Sequence, residues 1–142
     1  MSEWTVEYYT DAQGRFPVDE FVYQQPNGDR ARILRTIGLL KEFGLQLGLP
    51  YVKHLTGKLW ELRTQTGSKA YRVLYFAFTG RRFILLHAFL KKTEKTPGKE
   101  IAIAEQRLLH AVTGGTRVLF RGIHRQIRLE RIRPDRQALC PR

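Results

Sequence analysis

The chain has 142 residues, with 25 Lys+Arg against 13 Asp+Glu and a formal net charge of +12. Apolar residues at 42% and charged residues at 27% suit one globular domain with a basic bias. No apolar run reaches the roughly 18 residues of a membrane span, and the lone cysteine, Cys140, excludes an internal disulfide and a Cys-based zinc site.

Trp4-Thr5-Val6-Glu7-Tyr8-Tyr9 is rich in β-branched and aromatic residues and predicts a first strand. Asp11-Ala12-Gln13-Gly14 is a turn signal. Pro17 suits the first position of a helix, and Asp19 and Glu20 fall in its positive first turn. Pro26-Asn27-Gly28-Asp29 breaks that helix and starts another. Ile33, Leu34, Ile37, Leu40 and Phe43 recur at spacings of three and four, so the second helix is amphipathic, and Gly44 stops it. The pair reads as a helical hairpin over one face of a sheet.

Leu59–Arg63 predicts a short strand, Gln65-Thr66-Gly67-Ser68 a loop, and Tyr71–Phe78 a second strand. Thr79-Gly80 signals a tight turn, so the next strand, Phe83–Leu90, returns antiparallel. That strand is apolar on both faces, which places it inside the sheet. Thr96 with Pro97 predicts an N-cap and a first helical residue, and Ile101, Ala104, Leu108 and Val112 give the last helix a buried stripe. Gly114-Gly115 ends it. The expected order is β-α-α-β-β-β-α, a compact α+β domain over residues 1–112 whose antiparallel meander packs on the hairpin. Residues 113–142 are expected to be an Arg-rich C-terminal tail, either unstructured or a short amphipathic helix.

The charge is unevenly spread. Residues 1–52 are near neutral, whereas 53–99 hold eleven bases against Glu61 and Glu94, a surplus of +9. Residues 111–142 hold eight arginines, no lysine and two acids, a surplus of +6. An acidic partner is the natural inference: RNA, DNA or an acidic protein. The start, Met1-Ser2-Glu3-Trp4, is unlike a secretory signal, so a cytoplasmic location without membrane contact is expected. The four histidines show no metal-binding spacing, and no metal or cofactor is expected.

Leu59-Trp60-Glu61-Leu62-Arg63, Tyr71-Arg72-Val73-Leu74-Tyr75-Phe76 and the run Ile84 to Pro97, with its Lys91-Lys92-Thr93-Glu94-Lys95-Thr96-Pro97 ending, resemble the phage-derived HigB-like group of the RelE/ParE toxin superfamily. The resemblance covers roughly residues 4–110, and the Lys-Lys-Thr-x-Lys-Thr-Pro ending is its most specific piece. It implies a RelE-like fold and the toxin of a type II toxin–antitoxin system. Such a toxin cuts messenger RNA on the ribosome and is held inactive by a cognate antitoxin, often a helix-turn-helix protein. Two other functions stay open: a ParE-like toxin that inhibits DNA gyrase on the same fold, and a non-catalytic nucleic-acid-binding module.

Metal-free RNA cleavage uses the ribose 2′-hydroxyl as nucleophile. The protein takes one proton, returns one, and stabilises charge on phosphate. Arginine suits the last task, because its planar fork pairs with phosphate oxygens and stays charged. Arg63 and Arg72 lie on neighbouring predicted strands, and the resemblance puts strand arginines on the catalytic face. Arg72 is therefore expected at the scissile phosphate with Arg63 assisting; the alternative is a salt bridge to Glu61 or to the helical hairpin. Lys91 and Lys92 point to opposite sides if the strand continues. The resemblance favours Lys92 as the catalytic lysine, with Lys91 and Lys95 binding RNA; the alternative is a cluster that only binds backbone phosphate. His54 is expected in the loop before the meander, where the resemblance implies a functional histidine; the alternative is a plain surface residue. Lys53 and Lys58 flank it as RNA contacts. Glu61 stands where relatives carry a lysine and is placed to orient a histidine or Arg72. His87, within an apolar strand, reads as a core residue. Trp60, Tyr75 and Phe89 read as core aromatics, and Tyr71, beside Arg72, as a base-stacking candidate.

Overall fold

A computed structural model describes residues 4–113. The expected tail beyond Thr113 lies outside the described residues. Five strands and three helices run in the order β1 (Thr5–Tyr8), α1 (Pro17–Tyr23), α2 (Asn27–Phe43), β2 (Val52–Thr56), β3 (Leu59–Thr66), β4 (Lys69–Phe78), β5 (Arg82–Lys91) and α3 (Gly98–Thr113). A short 3-10 turn, Gly44–Gln46, follows α2. The sheet order is β1-β5-β4-β3-β2. β1 pairs parallel with β5, and β5, β4, β3 and β2 pair antiparallel in turn. This is the α+β, RelE-compatible architecture that the sequence predicts, with one strand more.

The helical hairpin covers one face. Val18 and Val22 of α1 and Ile33, Ile37 and Leu40 of α2 pack on Leu62, Tyr71, Val73, Tyr75, Phe83 and Leu85. α3 covers part of the other face through Ala104 and Ala111, against Leu74, Phe76, Ile84, Leu86 and Phe89. Both faces of β4 and β5 are thus buried, as their unbroken apolar runs require. Pro17 does open α1, and Asp19 and Glu20 lie in its first turn. Gly44 does close α2, at φ +60, and a Cβ there would fall 2.6 Å from the Trp4 indole. Only glycine fits that approach.

Three expectations are corrected. The segment Tyr51–Leu55, expected as a loop, enters an edge strand: Val52, Lys53 and His54 pair with Leu62, Glu61 and Trp60. Gln65–Ser68, expected as a loop, contributes Gln65 and Thr66 to β3; only Gly67 and Ser68 turn, with Gly67 at φ +57. Thr96 does not cap α3. The Pro97 carbonyl accepts from the Glu100 and Ile101 N–H groups, and the Thr96 hydroxyl donates to Glu61 instead.

Candidate functional site

Strand register gathers the cations. Lys53 faces Glu61 across β2 and β3, Arg63 faces Arg72 across β3 and β4, and Arg72 faces Phe89 across β4 and β5. Directly opposed residues share a face, as do residues two apart on one strand. Lys53, Glu61, Arg63, Arg72 and Lys91 therefore lie on one face, the face whose apolar part α3 covers.

Glu61 is the hub of this group. It is only 2% exposed, a burial that a carboxylate tolerates when cations and donors surround it. Arg72 Nε lies 3.6 Å from its Oε2 and Arg63 Nε 3.7 Å from its Oε1. Thr96, just ahead of α3, donates its hydroxyl to Oε2, which ties the β5–α3 connection to the cationic face. Both arginine contacts are ion pairs longer than a good hydrogen bond. Arg72 is 7% exposed, its Nη1 donates to the Tyr71 carbonyl at 3.0 Å, and its buried Nε has no hydrogen-bond acceptor. A buried N–H left without an acceptor costs free energy, so Glu61 holds this guanidinium by charge more than by hydrogen bonding.

The local field shows in the titration of these groups. Burial pulls the Lys91 ammonium below the ordinary lysine range, and Arg72, Arg63 and Lys53 push the same way while Glu61 opposes them. Burial also lowers Arg72, against the pull of Glu61, yet a guanidinium stays charged at neutral pH. A permanently charged fork thus sits beside an amine that releases its proton more readily than usual.

A cleft of about 480 Å³ adjoins the arginines, lined by Arg32, Arg35, Thr36 and Leu39 of α2, Pro50 and Tyr51, Arg63, Thr64 and Gln65 of β3, and Arg72. Arg63, Thr64 and Gln65 point alternately to opposite faces, so the cleft lies over the edge of β3. That edge opens beyond Arg63: β2 pairs with β3 as far as Leu62, and the Arg63 N–H still donates to the Tyr51 carbonyl at 2.7 Å. Among the described residues, four cations and no carboxylate line the cleft.

The expected site residues divide. Arg63, Arg72, Lys53 and Lys91 come together. Lys92 lies past the end of β5 and is exposed, so Lys91, not Lys92, shares the arginines' face. Lys58, in the β2–β3 turn, and Lys95, in the β5–α3 connection, are exposed at the margins. His54 is corrected: it sits on edge strand β2 opposite Trp60, on the hairpin's face of the sheet. Its Nε2 bonds the Gly57 carbonyl at 2.8 Å, and its ring packs edge-on against Trp60. Tyr71 is corrected too. It is 1% exposed, and its hydroxyl donates to Asp29 at 2.7 Å, so its ring is not free to stack on a base. Burial and the Asp29 carboxylate push its pKa up to about 12.

Arg32 and Arg35 were not anticipated. Both lie in the near-neutral first third, and charge counted by block hides them. The signal that finds them is helical: they border the buried stripe Ile33, Ile37 and Leu40, so α2 sets them at the margin of the sheet.

No described helix is long and apolar enough to cross a membrane. Comparison with curated proteins finds no match. The family model for the phage-derived Gp49-like proteins (DUF891) matches residues 20–109, from within α1 to within α3. The match takes in every residue of the cationic face and its cleft and spans more than half the chain, which therefore belongs to the phage-derived Gp49-like family, a family of RelE/HigB-like toxins.

Proposed function

We propose that this protein is the toxin of a type II toxin–antitoxin pair, close to the HigB branch, and that it is a ribosome-dependent mRNA endoribonuclease. The observation that carries the reading is the Arg63–Arg72 register pair over buried Glu61, open to a cleft with no acid in its lining.

In this reading Arg72 grips the non-bridging oxygens of the scissile phosphate, and Arg63 assists from the more exposed side. The 2′-hydroxyl oxygen attacks phosphorus as its proton leaves. The bond from phosphorus to the 5′-oxygen breaks, and that oxygen takes a proton. The products are a 2′,3′-cyclic phosphate and a 5′-hydroxyl end. Two fixed guanidinium groups stabilise the charge that grows on phosphate. Lys91 is the proton carrier, because it is the one lysine that register places beside the arginines with a lowered pKa. Glu61 holds both arginines and touches no substrate. The activity is assigned to residues 1–112, and the partners are mRNA on the ribosome and an antitoxin, expected to be a helix-turn-helix protein that covers the cationic face with acidic groups.

The test is a cell-free bacterial translation reaction with added protein, followed by mapping of mRNA ends. Cuts within codons at the ribosomal A site, lost in Arg72→Lys, establish the nuclease. Intact mRNA with the wild-type protein overturns it and directs the work to gyrase supercoiling.

A further inference from the structure

We infer that Arg32 and Arg35 of α2 form a second phosphate-binding position, which holds a single-stranded RNA beside the phosphate that Arg72 grips. The inference rests on the nuclease reading for the identity of the polymer, and on the cleft for everything else.

Arg32 and Arg35 are three residues apart, so they project from one side of α2. Both are exposed, and neither side chain has an ion-pair or hydrogen-bond partner among the described residues. By contrast Arg30, also on α2, is engaged: it donates to the Tyr23 carbonyl and to Asn27 and lies over the Tyr23 ring. The two free guanidiniums line the same cleft as Arg63 and Arg72. A chain lying in that cleft meets the sheet arginines at one end and the helix arginines at the other, across the edge of β3 at Thr64 and Gln65.

Size selects the ligand class. About 480 Å³ is within the range of a small-ligand pocket. That volume suits one nucleotide with its flanking phosphates, the repeat of a single strand. The lining adds little aromatic surface for stacking, since Tyr51 is its one ring. Affinity must therefore come chiefly from phosphate charge, which is tolerant of sequence. One phosphate does not need four cations, whereas two or more along one strand do.

The test measures binding apart from cleavage. A short fluorescein-labelled single strand of 2′-O-methyl RNA, which lacks the attacking hydroxyl, is titrated with the full chain across a salt series. Loss of two phosphate contacts lowers the slope of log affinity against log salt by about 1.4, at ~0.7 per contact for a single strand. Wild type then loses about sevenfold more affinity than Arg32→Ala/Arg35→Ala between 50 and 200 mM salt. A control, Arg15→Ala/Lys99→Ala, removes two exposed cations outside the cleft and keeps the wild-type slope. Annealing the probe to its complement weakens binding to wild type and abolishes the difference between the variants.

A double variant whose slope matches wild type overturns the inference, and so does a wild type that binds the duplex as well as the single strand or does not bind the probe. Messenger RNA cutting in the translation reaction is scored separately. If wild type cuts and the slopes match, the second position fails and the nuclease stands. If wild type never cuts but the slope falls as stated, the nuclease fails and the phosphate position stands.

Discussion

Arg72 and Glu61 form a pair in which the acid positions the base without satisfying it. Removing Arg72 altogether takes from the buried Glu61 carboxylate its most buried cationic partner, and the loss of one partner from a buried pair commonly costs about 3–5 kcal/mol. Arg72→Ala therefore disturbs the fold together with the site. Arg72→Lys separates the two, because it keeps a charge over Glu61 and removes the planar fork. The expected outcome is a thermal midpoint near wild type and a loss of mRNA cutting of about 100- to 1000-fold, the usual effect of deleting one fixed donor from a transition-state clamp. Activity within tenfold of wild type would show that charge alone suffices. Lys91 has a different signature. As a base it acts only when deprotonated, and burial, helped by Arg72, Arg63 and Lys53, holds its pKa below the ordinary lysine value. Cutting therefore rises with pH toward that lowered value, and Lys91→Arg, which keeps the charge but cannot give up its proton, flattens the rise. Measuring single-turnover cutting across pH for both proteins decides it; a rise that persists in Lys91→Arg assigns the proton transfer elsewhere.

At the scale of elements, the site depends on how α3 is moored. His87 Nε2 donates to Glu100 at 2.5 Å, while Arg107 donates to the Leu86 carbonyl at 2.9 Å and to His87 Nδ1 at 3.3 Å. The Tyr9 hydroxyl donates to His110 Nδ1 at 2.6 Å near the far end of the same helix. One His87 nitrogen donates and the other accepts, which describes a neutral ring. Burial lowers the pKa of that ring below 6.5, Arg107 helps, and the Glu100 bond opposes. As pH falls through 6.5 the unfolded chain takes up this proton before the folded one does, so stability falls with it. The thermal midpoint is expected to be lower at pH 5.5 than at pH 7.5, and His87→Gln is expected to shrink that difference. An unchanged difference would place the pH dependence outside His87. Asp29 does not intrude, because its bond from Tyr71 holds its pKa below 3.8. Ile101, Ala104 and Leu108 of the α3 stripe and the position of His87 under that helix were readable from spacing; Val112, expected in the stripe, is exposed, and Ala111 is buried in its place. The start of the helix was not: Thr96-Pro97 has the form of a cap, but Glu61, distant in sequence and buried, competes for the same hydroxyl and takes it. Edge strand β2 was missed for a related reason. Val52–Thr56 has three polar, exposed residues, Lys53, His54 and Thr56, and a strand with one neighbour carries little alternation to read.

Over the whole molecule, the strings around Arg63, Arg72 and Lys91 were legible as a cationic face, because period-two alternation survives in β3 and β4 and the family pattern is dense there. The cleft was not legible, because it joins a strand edge to a helix some 30 residues away in sequence, and only the fold makes Arg32 a neighbour of Arg72. The same distinction separates two kinds of cation. In the proposed function those lining the cleft face a substrate held in place, whereas Lys58 and Lys95 are exposed at the margins and add to the +9 surplus of residues 53–99. Marginal charges act over the Debye length, about 8 Å at physiological ionic strength, and so they speed encounter with a polyanion without touching the reacting phosphate. Lys58→Ala/Lys95→Ala is expected to lower the second-order rate of cutting severalfold at low salt, with the defect fading as salt rises and the single-turnover rate at saturation unchanged. Arg72→Lys is expected to behave in the opposite way, with a defect that persists at every salt concentration and lies in the saturated rate. Measuring both constants for both variants across one salt series discriminates the roles. A Lys58/Lys95 defect in the saturated rate would move those lysines into the chemistry, and a salt-sensitive Arg72 defect would reduce that arginine to a steering charge.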